Sequence, residues 1–268
     1  MAKNIHLLVI DPQDDFCNPN GGTLCVPGAD KDMERLALML HRIGDKIDDV
    51  HVTLDSHQPL HIAHPIMWVD RNGRHPNPFT IITADEVKDG RWRTTRLTFQ
   101  RRATEYVEAL ARNGRYPLCI WPPHCLIGSK GQAIFQPFYD ALRKWCEGEM
   151  GTVDFVTKGS NILTEHYSAI VADVPDPSDP STQMNVNFLT TVNEADVVLL
   201  AGEASSHCVA NTGIDACNYF ADDSLVRKLV LLEDAMSPVP GFEAQADSFK
   251  RELQKRGCQI AKTTDYLI

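Results

Sequence analysis

The 268-residue chain has no C-x-x-C pair, no internal repeat and no low-complexity tract. Nor does it have an apolar run near the roughly 20 residues a membrane span needs. The first absence excludes a zinc ribbon and a thioredoxin-type motif. Positive charge is also scarce: 26 Lys and Arg against 36 Asp and Glu give a net charge of −10. That balance speaks against a nucleic-acid binder, which needs a basic face for the phosphates, and against an anionic membrane surface. Met1–Asn4 and the short apolar run after it do not read as a signal peptide. The eight cysteines are therefore expected reduced, in the cytoplasm. What remains, 43% hydrophobic and 23% charged, is the make-up of a soluble globular protein.

Five short apolar runs stand out: Ile5–Ile10, Val50–Leu54, Val153–Thr157, Val197–Ala201 and Leu229–Glu233. Continuous apolarity over four to six residues reads as a strand buried on both faces. Between them, Lys31–Ile47, Thr104–Ala111, Phe135–Cys146 and Ala244–Arg256 carry helical periodicity. The alternation predicts right-handed βαβ units, hence a three-layer α/β/α sandwich around a mainly parallel sheet. Residues 62–118 interrupt the alternation and read as a lid-like insertion in one domain spanning 1–268. Its arginines, Arg91, Arg93, Arg96, Arg101 and Arg102, read as a solvated surface or an oligomer contact. Pro175–Ser181 is a loop of turn residues.

In open parallel sheets the site lies beyond the C-terminal strand ends. Asp11, Asp55 with His57, Lys158 and the turn Gly202–Cys208 all follow apolar runs, so one edge gathers them. Cys208 precedes a predicted helix start, where the dipole and a nearby lysine would lower a thiol pKa. Asp11 is placed to exchange protons, and backbone N–H groups at Ala204 and Cys208 to hold an oxyanion. Asp55-Ser56-His57 puts two ligand-type side chains on one strand face, with His61 and His64 following. Pro122-Pro123 stiffens the approach to His124. An aspartate and two histidines with open positions suit Zn²⁺, Mn²⁺ or Fe²⁺. Taken alone, Cys208 is also a buried apolar thiol, and any one of the ten histidines a hydrogen-bonded loop residue.

Three segments carry a resemblance. Ile10-Asp11-Pro12-Gln13-Asp14-Asp15-Phe16, Thr157-Lys158-Gly159 with Tyr167-Ser168-Ala169, and Gly202-Glu203-Ala204-Ser205-Ser206-His207-Cys208-Val209 resemble motifs of the isochorismatase-like cysteine hydrolases, in the family's order. The resemblance implies an Asp11–Lys158–Cys208 triad and a cis peptide at Glu203–Ala204. Asp55-x-His57-x-x-x-His61 and Trp121-Pro122-Pro123-His124-Cys125 resemble the metal segments of the family's nicotinamidases. They imply Asp55, His57 and His124 as ligands of a divalent ion, zinc first and manganese or iron as alternatives. His61 then stands nearby as a supporting or weak ligand, His64 is structural or exposed, and Phe16 and Trp121 flank the substrate ring.

The implied activity is hydrolysis of nicotinamide to nicotinate and ammonia by a cytoplasmic homo-oligomer acting on a small amide, with no nucleic-acid or membrane partner. Glu203, the Ser205-Ser206 pair and the long His61–Trp121 spacing depart from the family pattern. Three alternatives stay open. One is an amidohydrolase of the same superfamily acting on a ureido, carbamoyl or maleamate-type substrate. Another is a metal-hydroxide mechanism with Cys208 as bystander. The last is a non-catalytic binding or redox-sensing member.

Overall fold

The computed structural model describes residues 3–113, 116–220 and 223–266. Six parallel strands form the central sheet, in the order Gln259–Ala261, Leu229–Leu232, Val197–Gly202, Ile5–Ile10, Asp49–Asp55 and Val153–Lys158. Side chains of a strand alternate between faces, so one strand feeds two cores. Ile5, Leu7 and Val9 pack with Met33, Leu36, Leu40, Phe138 and Leu142 from helices Ala29–Ile43 and Gln136–Glu149. Leu8 and Ile10 point the other way, onto helices Val186–Glu194, Cys208–Tyr219 and Glu243–Lys255. Each fully buried leucine contributes about 1.5–3 kcal/mol. The three-layer α/β/α expectation is met, and the central sheet is wholly parallel.

Strand order reverses direction at Ile5–Ile10. The chain leaves it first towards Asp49–Asp55 and later returns to Val197–Gly202 on its other side. Loops on either side of such a switch point diverge and leave a crevice at the C-terminal strand ends. Gly202 lies against the first strand: a Cβ there would stand 2.1 Å from the Ile10 carbonyl oxygen, at a φ of +116°. Only glycine lets the turn before Cys208 approach so closely.

Several predicted elements shift. Lys31–Ile47 is a helix over Ala29–Ile43 followed by a 3₁₀ turn, Gly44–Lys46. Val153–Thr157 was expected to be buried on both faces, but as the sheet's edge strand it leaves Asp154 and Phe155 exposed. Helix Val186–Glu194 and strand Gln259–Ala261 were not anticipated. Within 62–118, strands Trp68–Asp70 and Trp92–Thr94 pair antiparallel, and helix Gln100–Asn113 buries Tyr106, Val107 and Leu110 in the first core. Three of its arginines are ion-paired, Arg91 with Glu86, Arg101 with Glu105 and Arg102 with Asp176. Among the described residues no helix is long and apolar enough to cross a membrane.

Candidate active site and metal centre

Asp11 ends the first strand in the left-handed region, at a φ of +44°. Its carboxylate accepts from Thr53 Oγ1 at 2.6 Å and faces Lys158 Nζ at 2.8 Å. Lys158 stands opposite Asp55 in the strand register, and its ammonium reaches Asp55 Oδ1 at 3.2 Å and Cys208 Sγ at 3.6 Å. Cys208 opens helix Cys208–Tyr219. All four side chains are buried. One lysine thus ties together three groups that the chain supplies from separate strand ends.

Burial sets the proton positions. It raises the Cys208 thiol well above its ordinary range; Lys158 opposes this, while Asp11 and Asp55 add to it. Burial also raises Asp11, with Lys158 opposing. Burial would lower Lys158, but Asp11, Asp55 and Cys208 outweigh it and hold the lysine charged. The expected lowering of the thiol pKa is therefore reversed: the closed site overrides the helix end and the lysine, and the resting sulfur keeps its proton. Lys158, in contact with both, keeps the thiol near a carboxylate able to exchange protons.

The turn before Cys208 has the cis peptide Glu203–Ala204. Its carbonyl at Ala204 accepts the amides of His207 and Val209, and Ser205 N donates to Ser237 O. Among the described residues, the Ala204 and Cys208 amides have no acceptor. Both residues line the same narrow, mostly apolar cavity as Phe16 and Trp121.

Asp55 and His124 line the same cavity, with His57 beside them. His57 Nε2 lies 3.0 Å and His124 Nε2 3.5 Å from Asp55 Oδ2. The Nδ1 atoms face backbone carbonyls, Gly159 O at 3.0 Å and Pro122 O at 2.9 Å. Carbonyls accept only, so each ring carries its proton on Nδ1 and aims Nε2 inward, as a metal-ligating histidine does. Gly159 makes room for them: a Cβ there would sit 2.7 Å from Asp55 Oδ1 and 2.9 Å from His57 Cε1. The His124 loop is pinned by Cys125 N donating to Asp15 Oδ2 at 2.6 Å. Burial alone would lower the His57 pKa, but Asp55 drives it up to about 9. A positive charge is wanted at this spot, so the donor set and its electrostatics fit a divalent cation.

His61 and His64 are both fully buried. His61 spends Nε2 on Thr164 O at 3.1 Å and accepts Ala63 N at Nδ1, so neither nitrogen is left for a metal. It supports the ring of His57, 4.4 Å away. His64 is structural rather than exposed; burial and then His124 and His57 lower its pKa to about 3.

Sequence reasoning passed over three cavity residues. Tyr167, within the Tyr-Ser-Ala segment, accepts from Trp121 Nε1 at 3.0 Å. His207, beside the thiol, sits among Tyr116, Trp121, Tyr167 and Phe242 with ring centroids 4.7–5.4 Å away; burial lowers its pKa to about 4, so it is neutral. Both lay inside the quoted motifs. Glu165 lies well into the loop after strand Val153–Lys158, not at the strand end, and had no such signal.

No family model matches the chain. No curated protein sequence matches it. Solved structures do. A nicotinamidase/pyrazinamidase of Acinetobacter baumannii superposes with a TM-score of 0.65 at 20% identity, covering 99% of both chains. A pyrazinamidase of Pyrococcus horikoshii in complex with zinc gives 0.55 at 17% identity, covering 97% of this chain and 99% of that one. An N-carbamoylsarcosine amidase of Thermoplasma acidophilum gives 0.51 at 16% identity and 99% of both chains. The chain therefore has the fold these amidohydrolases share.

Proposed function

We propose that the protein is a metal-dependent amidohydrolase that converts nicotinamide to nicotinate and ammonia through a thioester on Cys208. The observation that carries this is that Lys158 contacts Asp11, Cys208 and Asp55 together, so that the thiol adjoins the Asp55, His57 and His124 group beside one apolar cavity lined by Cys208, Asp55 and His124. Phe16 and Trp121 offer aromatic walls to a flat ring. Asp11 takes the thiol proton as sulfur attacks the carboxamide carbon. The Ala204 and Cys208 amides receive the developing oxyanion, an interaction worth about 10²–10³ in rate per donor. Asp11 returns the proton to nitrogen, the C–N bond breaks and ammonia leaves. Water then attacks the thioester carbon and gives its proton to Asp11. Nicotinate leaves, and the proton passes back to sulfur. Lys158 stays charged throughout and offsets the anion that alternates between Asp11 and Cys208.

A divalent ion held by Asp55, His57 and His124, zinc first and manganese or iron as alternatives, would supply a Lewis acid that anchors the ring nitrogen. The structural relatives, a nicotinamidase/pyrazinamidase and a pyrazinamidase in complex with zinc, support this reading. The enzyme is taken to be a cytoplasmic homo-oligomer acting without a nucleic-acid or membrane partner, in keeping with its −10 charge. The fold shared with the carbamoylsarcosine amidase favours a second reading, a carbamoyl or ureido substrate in the same cavity.

Ammonia release decides between them. Purified protein with Zn²⁺, Mn²⁺ or Fe²⁺ is given nicotinamide, pyrazinamide, a carbamoyl amino acid and a ureide. Nicotinamide and pyrazinamide are expected to turn over. Release from the carbamoyl compound alone would overturn the nicotinamide reading.

A further inference from the structure

Glu203 stands where the sequence departs from the family pattern, and the structure buries it completely. Its backbone extends the sheet, Glu203 N donating to Ile10 O at 2.8 Å. The next peptide carries the Ala204 amide, one of the two without an acceptor beside the cavity. Residues 235–239 run alongside this turn. Gly202 N donates to Ala235 O at 2.9 Å, Ser205 N to Ser237 O at 2.9 Å and Val239 N to Ser206 Oγ at 3.0 Å. The Ser237 amide goes to a side chain instead: Glu203 Oε2 accepts it at 3.1 Å.

Ser237 Oγ turns to a second carboxyl group, donating to Asp32 Oδ2 at 2.5 Å. One serine thus holds two buried acids, Glu203 and Asp32, side by side. Arg35 pairs with Asp32 and donates to Asp234 O at 2.6 Å, tying helix Ala29–Ile43 to the same segment. Among the described residues no cation pairs with Glu203, and its Oε1 is buried without a hydrogen-bond partner. Two carboxylates against one guanidinium would leave a charge uncompensated away from water, and an acid so placed keeps its proton. Burial and then Asp32 push the Glu203 carboxyl well above the usual carboxylate range. Cys25 and the buried Cys17 bear on the pair as well, and neither supplies positive charge.

We propose that Glu203 is a positioning residue for the hydrolysis: as a neutral acid that accepts from Ser237 and donates to Asp32, it holds the peptide that aims the Ala204 amide at the oxyanion. This rests on the thiol reading above, but not on which amide is the substrate. A neutral acid also settles the orphan atom, because Oε1 then has a proton to give to Asp32. The side chain touches no reacting atom and acts through Ala204.

The test is steady-state kinetics and thermal melting of the full-length, metal-loaded protein. Glu203→Gln can still accept from Ser237 and donate to Asp32, but has no titrating proton. Its kcat on the amide that the parent turns over should stay within about 3-fold of the parent value. Glu203→Leu loses both bonds. Its kcat should fall by about 10–100-fold with KM changed less than about 2-fold, because a misaimed donor is missed only in the transition state. A Leu variant with parental kcat overturns the proposal, and so does a Gln variant that falls as far as Leu. Should the Leu variant fail to fold, melting of Glu203→Gln still decides. Between the ordinary value of 4.5 and its raised folded value, Glu203 holds a proton that the unfolded chain has lost. Parent stability from this group is therefore full below 4.5 and declines as pH rises. The Gln variant has no such decline, so its melting temperature should gain on the parent's from about pH 5 to about pH 8. A constant difference over that range overturns the proposal. A parent that releases ammonia from no amide would refute the hydrolase reading itself; the melting comparison uses no substrate, so the two failures are told apart.

Discussion

Two polar clusters are buried in the sheet, at opposite ends of the same strands. At the lower end, Asp154, His51, His6 and Asp49 form a chain of contacts at 3.0, 3.1 and 3.3 Å across three neighbouring strands. Its terminal carboxylates are exposed, 52% for Asp154 and 58% for Asp49, so the chain runs out to water on both sides. At the upper end, Asp11, Lys158, Asp55 and Cys208 are all nearly inaccessible and stop at an internal cavity. Buried polarity alone therefore does not mark a site. What separates the two is where the last atom points: the lower cluster hands its charge to solvent, the upper one keeps it for whatever enters.

Breaking the upper cluster should cost far more than breaking the lower. Cys208→Ala is expected to abolish amide hydrolysis, a loss on the order of 10⁴-fold or more in kcat. Retained turnover, or a covalent adduct with nicotinaldehyde seen by mass spectrometry in that variant, would sink the thiol mechanism. Lys158→Met leaves two buried carboxylates without their cation and should destabilise the fold by about 3–5 kcal/mol in urea unfolding. A change under about 1 kcal/mol would mean that the lysine is not the electrostatic keystone of the site.

His124→Ala is expected to lose its ion on elemental analysis while keeping a near-normal circular dichroism spectrum. Unaltered stoichiometry removes His124 from the ligand set. Acid should reveal the same site in the parent protein. The reaction needs Asp11 ionised and burial raises its pKa, so kcat/KM should fall on acidification at a pH above the ordinary carboxylate value of 3.8.

The smallest effect belongs to the lower cluster. Burial and then the neighbouring His51 lower the His6 pKa below 6.5. The unfolded chain therefore binds a proton more readily there, and this contribution to stability is lost as pH falls below about 6.5. His6→Leu should flatten that slope, cost about 1–3 kcal/mol at neutral pH by leaving His51 Nε2 unpaired, and leave kcat untouched. A matching loss of activity would show that the two ends of the sheet communicate.

How much of this the sequence reveals depends on what each feature is made of. Buried parallel strands write themselves as unbroken apolar runs, so Ile5–Ile10 and Val197–Gly202 and the polar residues after them could be read directly. Edge strands do not: Val153–Lys158 is exposed at Asp154, Phe155 and Thr157, and Gln259–Ala261 is too short to leave a pattern. The proposed ligand triplet was visible because Asp55 and His57 share a strand end and two prolines precede His124. Glu165, His207 and Tyr116 come from loops whose order follows from tertiary packing, and Tyr116 Oη reaches Ser206 O at 2.7 Å from a distant segment. The direction of the Cys208 shift was misjudged because it depends on closure of the cavity, which no local spacing encodes.

The register that seats Ile10 beside Gly202 also fixes when the proposed site is assembled. Asp11 leaves the ribosome early, but its strand lacks one neighbour until the residues around 197–202 have been made. Pairings this distant along the chain form late in folding. The emerging polypeptide thus has its acid long before its sulfur, and assembly of the pair coincides with completion of the sheet. A truncated or half-folded chain would hold both residues in sequence and neither in place, so the proposed site is a property that switches on with the last long-range contact rather than growing by degrees.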